Sequence, residues 1–128
     1  MDDDAQPMTR RQAERAAEGM RALAHLTLGQ PAPAPEVFAL LGETGLMLVR
    51  TSDVLRNLGN GVRMSLTTHH LVEDDGSDPG RNTVRAQALL QQAASLIAEA
   101  TQQLWDAQTT LAGQGHNGTR ASGEEIAF

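Results

Sequence analysis

The chain has 128 residues, a formal net charge of -6, and no cysteine or lysine, all ten of its basic residues being arginine. This length suits one small domain with tails. The composition excludes disulfides, thiolate nucleophiles, Cys-ligated metal, Schiff-base lysines and P-loop lysines, and the negative balance argues against a general polyanion binder. With two Phe, one Trp and no Tyr, the core must be aliphatic, and Ala, Leu and Met favour helices over sheets.

Abundant Ala and Gly without Lys match the codon usage of a GC-rich bacterial genome, and a cysteine-free chain fits the cytoplasm. Met1-Asp2-Asp3-Asp4 is the opposite of a signal peptide, and no apolar run approaches ~18 residues. Residues 1–8 read as a disordered acidic leader. Thr9 followed by Gln12 has the spacing of a capping box. Beyond it, Ala13, Ala16, Ala17, Met20, Leu23, Ala24 and Leu28 recur at helical spacing, opposite a charged side. This predicts an amphipathic first helix over about 9–28. Gly29 and the alternating prolines 31, 33 and 35 end it in a short, stiff spacer.

Pro35-Glu36 suits the first turn of a second helix. Its end is ambiguous in sequence. Gly59-Asn60-Gly61 reads as a stop followed by strand-like alternation, yet Leu41, Leu48, Leu55 and Val62 hold a seven-residue period through the glycines. The heptad favours one helix over about 36–70, with Gly59 and Gly61 as the place where it could kink. The third helix is predicted over about 83–112, with Gly113 as its stop. It carries the strongest pattern in the chain: Ala86, Ala93, Ala100 and Ala107 interleaved with Leu90, Ile97, Leu104 and Leu111. If the acidic turn 73–80 closes a hairpin centred near residues 77 and 78, Leu48 meets Ala107, Leu55 meets Ala100, Val62 meets Ala93 and His69 meets Ala86. Large residues then oppose small ones in nearly every layer.

The domain is therefore expected over 9–112, all-α: a long antiparallel, coiled-coil-like helical hairpin plus the amphipathic helix in a three-helix bundle, followed by a disordered tail over 113–128. Leu40, Met47, Val54, Leu89, Leu96 and Trp105 remain outside the hairpin seam. They form the expected partner surface, with a homodimer as the simplest cover and Met47 and Trp105 as interface candidates.

Chemistry-bearing patterns are few. His69, His70, Glu73, Asp74 and Asp75 cluster at the turn but match neither HExxH nor EF-hand spacing, so they read as solvated turn residues and no metal or cofactor is expected. There is no GxSxG motif, and the paired acids Glu124 and Glu125 fall in the tail. No enzyme is expected. Arg10, Arg11, Arg15 and Arg21 make the first helix locally basic, which leaves a DNA-associated accessory protein as the alternative to a cytoplasmic adaptor or small regulator.

The C-terminal residues Gly123-Glu124-Glu125-Ile126-Ala127-Phe128 resemble the acidic tip of bacterial single-stranded-DNA-binding proteins. That resemblance covers about six residues and implies docking of a partner protein through Ile126 and Phe128. It departs from the family in Ala127, where the family has Pro, and in one acid fewer. Size and hairpin form are also similar to the small helical proteins of type VII secretion, but the Trp-x-Gly turn and the tyrosine of the export motif are missing.

Overall fold

The computed structural model describes residues 7–114. Three helices follow one another: α1 (Met8–Thr27), α2 (Ala34–Thr68) and α3 (Pro79–Leu111). The protein is all-α, with no strand among the described residues, and α2 and α3 pack closely in the manner of a helical bundle. The chain divides into two compact units, one carrying α1 and ending at Ala32, the other starting at Pro33.

α1 begins one residue before Thr9. Its N-cap is Pro7, with no capping side chain, so the expected Thr9/Gln12 capping box does not form. Thr9 lies inside the first turn, where its own amide is one of the helix-start donors. No residue of α1 is buried. The helix ends at Thr27, and the chain turns away at Gly29, whose positive φ of 68° is open to a residue without Cβ.

α2 is one helix of 35 residues and passes through Gly59 and Gly61. The single helix expected from the heptad is therefore what forms, and the strand-like alternation after Gly61 does not make a strand. Pro35 sits in the first turn, where its missing N–H costs nothing, and Glu36 lies favourably near the positive end of the dipole. The chain leaves the helix at His69 in extended geometry.

α3 starts earlier than the expected position 83. Asp78 is the N-cap, its carboxylate accepting from the Gly80 amide at 3.0 Å, and Pro79 takes the first helical position. Residues that read as the end of an acidic turn are thus a capped helix start. The connection spans 69–78 and is centred on Glu73 and Asp74, not on 77 and 78.

That change resets the register. Ser52 Oγ donates to the Ala94 carbonyl at 3.2 Å; in the symmetric expectation Ser52 would have faced Gln103. Gly59 meets Gln87 and Leu90 where Leu96 was expected. At the helical rise this is a slide of about 13 Å. Buried positions now fall at Gly45, Ser52 and Gly59 on α2 and at Gln87, Ala94 and Thr101 on α3. These small or polar layers let the two backbones approach. Between them lie half-buried layers of large residues, Leu41, Leu48, Leu55 and Val62 on α2 and Leu90, Ile97 and Leu104 on α3. The register set by Ser52 and Ala94 places Leu48 level with Ile97 and Leu55 level with Leu90. Small therefore opposes small and large opposes large, the reverse of the expected interdigitation. His69 is exposed and does not sit against Ala86.

A candidate docking face on the helical hairpin

With Gly45, Ser52 and Gly59 named a positions, the α2 seam reads a and d: Leu41, Gly45, Leu48, Ser52, Leu55, Gly59, Val62. The α3 seam reads Gln87, Leu90, Ala94, Ile97, Thr101, Leu104 in the same nomenclature. Each helix turns about 100° per residue, so positions c and g form a second stripe roughly 110° away from the seam. In an antiparallel pair the two g stripes lie along the same flank. On α2 this second stripe holds Leu40, Thr44, Met47, Thr51, Val54 and Leu58; on α3 it holds Ala86, Leu89, Ala93, Leu96, Ala100 and Ala107, with Gln103.

Two properties set this flank apart. It is apolar and open: Val54 is 51 % exposed, Leu58 58 %, Leu89 54 % and Leu96 59 %. It also carries no charged residue on either helix. Glu36, Glu43, Arg50, Asp53, Arg56 and Arg63 of α2, and Arg81, Arg85, Glu99 and Asp106 of α3, all fall on positions b, e or f. The hairpin meanwhile has little interior: among the described residues only Ala34 and Ala94 are buried apolar side chains, and no large side chain is fully buried. Two helices alone cannot enclose a core, because each leaves most of its circumference open.

Leu40, Met47, Val54, Leu89 and Leu96 are therefore brought together on one flank. Trp105 is not among them. It follows Leu96 by half a turn beyond two full turns, about 900°, and lies on the opposite flank, where its half-buried ring covers Gly45 so closely that a Cβ there would overlap it. The alanines of the heptad also move. Ala86 and Ala93 are half-buried and Ala100 and Ala107 exposed, so they line the open flank while Ala94 and its heptad partners fill the seam.

The flank bearing Trp105 is mixed: it exposes Leu46, Val49 and Val84 but also carries charged residues and a polar cluster. Gln87, buried in the seam, donates to Asn60 Oδ1 at 3.0 Å and accepts from Arg63 at 3.3 Å. Arg56 donates to Ser52 Oγ at 2.9 Å, and Gln108 ties the far end by donating to the Phe38 carbonyl at 2.9 Å. No buried side-chain nitrogen or oxygen among the described residues lacks a partner. Composition gave no hint of this cluster; the one signal was Gln87 standing a heptad before Ala94 and Thr101. A hollow of about 200 Å³ beside it is lined by Val49, Ser52, Asp53, Arg56, Ala98 and Thr101, and its arginine is already bonded to Ser52.

On α1, Arg10, Arg11, Arg15 and Arg21 are all exposed, and Glu14 and Glu18 lie within the same arc. Arg21 Nε donates to Glu18 Oε2 at 3.0 Å. That guanidinium holds the Glu18 carboxyl below its ordinary value, and the carboxylate raises the arginine in return. In the connection, the hydroxyl and amide of Ser77 lower Asp75. His69 and His70 are exposed, and no three His, Asp or Glu side chains among the described residues converge to hold a metal. Ile126 and Phe128 lie outside the described residues.

No family model matches the chain, and no curated protein or solved structure does. No helix among the described residues is long and apolar enough to cross a membrane.

Proposed function

We propose that the protein is a non-enzymatic helical interaction module, an adaptor or small regulator of the cytoplasm, that works by helix-face docking on the c/g flank of its hairpin. The observation that carries this reading is the uncharged, open stripe of Leu40, Met47, Val54, Leu58, Leu89 and Leu96 beside the alanines of α3. An apolar helix entering such a groove supplies anchors at i, i+3, i+4 and i+7 spacing. A large exposed apolar patch on a small soluble chain is a marker of interaction surfaces. The tail residues Ile126 and Phe128 offer a second, tethered contact that would raise avidity through effective concentration. The arginines of α1 support a DNA reading less well, because Glu14 and Glu18 lie among them.

The test is site-specific photo-crosslinking in the cell of origin. A photoreactive residue at position 96 should form polypeptide adducts, and one at Arg50, on the outer face of α2, should not. Adducts missing at both positions 47 and 96 would refute docking on this flank.

A further inference from the structure

Building on the docking reading, we infer that the occupant of the c/g flank is a second copy of the same chain, closing the hairpin into an antiparallel four-helix bundle. Three observations on this flank favour a copy over a foreign partner.

The first is electrostatic. An isologous contact sets a face against a copy of itself, so a face of one charge sign repels its mate and an uncharged face does not. The charges of the hairpin, three acids and three arginines on α2 and two of each on α3, all stand on its other faces. This one has no charged position from residue 37 to 65 on α2 or from 86 to 107 on α3.

The second is steric. The face presents a ridge and a trough of its own: Leu40, Met47 and Val54 stand on α2, while the alanines at 86, 93, 100 and 107 leave space along α3. A two-fold axis parallel to the helices sets α2 of one copy over α3 of the other in the antiparallel sense already present within the hairpin. The ridge then enters the trough twice. Each helix gains a second seam at the same seven-residue period as its first, which is the packing of four-helix bundles.

The third is size. The stripe runs for about 30 Å at the helical rise and is two helices, about 20 Å, wide. The flat footprint is about 600 Å² per copy, or ~1,200 Å² in total, which reaches the range of specific interfaces. It would also cover Val54, Leu58, Leu89 and Leu96, the residues left most open on this flank, and so supply the interior that the hairpin lacks by itself.

The experiment uses the purified full chain. Light scattering or native mass spectrometry should give twice the chain mass of 13.7 kDa. Met47→Glu and Leu96→Glu should each convert the dimer to monomer, and Arg50→Glu should leave it intact. Circular dichroism on the same samples reports whether the helices persist. In case the charged variants unfold, a photoreactive residue at position 96 in mixed heavy- and light-isotope chains gives an independent reading. Its crosslinks should join unlike isotopes and map to residues 40–58 or 86–107 of the other copy. A monomeric wild type overturns the second-copy inference, as does a dimer whose crosslinks map elsewhere. The docking reading fails separately: a monomer that still forms adducts at position 96 in cells retains the docking flank with a foreign occupant, and loss of those adducts removes both.

Discussion

Gly45→Ala should destabilise the hairpin although alanine is the better helix former. In a helix interior alanine gains about 1 kcal/mol over glycine. At Gly45 the new methyl would overlap three atoms of the Trp105 six-membered ring. Overpacking a tight contact costs roughly 1–3 kcal/mol. The ring belongs to a half-buried side chain at the flank, so it can swing aside, but only by giving up its cover on α2. Taking about 2 kcal/mol for the contact leaves a net loss of about 1 kcal/mol, or a fall in Tm of ~4–8 °C for a unit of this size. The assay is thermal and urea unfolding followed by circular dichroism, with the emission of Trp105, the only tryptophan in the chain, reporting its exposure. Gly61 is the internal control: it lies in the same helix and a Cβ there meets nothing within 4 Å, so Gly61→Ala should stabilise by about 0.5–1 kcal/mol. The cycle closes with Trp105→Ala, in whose background Gly45→Ala should change sign and become stabilising. Equal stabilisation by Gly45→Ala and Gly61→Ala in the wild-type background would refute the packing of Trp105 over Gly45.

Asp78→Ala removes the carboxylate that caps the Gly80 amide and should cost about 1 kcal/mol, read as a lower urea midpoint with unchanged slope; no change would mean that Asp78 does not cap α3. Gln87→Leu trades a buried polar side chain bonded to Asn60 and Arg63 for an apolar one opposite Gly59. It should keep the helical content while loosening the register, seen as doubled amide resonances around Gly59, and a single sharp set would deny Gln87 that role. Glu18 has a lowered folded-state pKa, so its pairing with Arg21 stabilises α1 above the ordinary glutamate value of 4.5 and is lost as pH falls through the depressed value. Both side chains are exposed, so the effect should be small and should vanish in high salt; Glu18→Gln should flatten this part of the acid titration of helicity, and an unchanged curve would exclude the pair as its source.

The helices were legible because their signals are local. Prolines 31, 33 and 35, Gly29 and the heptads of leucine and alanine each act within a few turns, and the three helices end within a few residues of where those signals put them. The register was not legible, and the reason lies in the same heptad. α3 carries more than one set of residues at the seven-residue period, the alanines 86, 93, 100 and 107 and the leucine and isoleucine set 90, 97 and 104, so pairing Leu48 with Ala107 or with Ile97 satisfies the periodicity equally. The tie is broken by two non-periodic features. One is the length of the connection, which depends on recognising Asp78-Pro79 as a helix start. The other is the polar cluster at Gln87, Asn60 and Arg63, whose hydrogen bonds are made in only one alignment.

The open apolar flank was half legible for a related reason. Leu40, Met47 and Val54 share a stripe on any α2, and Leu89 and Leu96 share one on any α3, whatever the register. Trp105 does not join them, because the nine residues from Leu96 to Trp105 leave it half a turn away, on the opposite flank. The alanines at 86, 93, 100 and 107 were assigned to the internal seam because small residues there explain a close neighbour. Their heptad partner set one position on, Gln87, Ala94 and Thr101, explains it equally well and is what the hairpin uses. A helix with two small-residue stripes one position apart can take two close neighbours. The first is α2; the second stripe, still open beside Leu89 and Leu96, is where a second helix from outside the hairpin would be accommodated without strain.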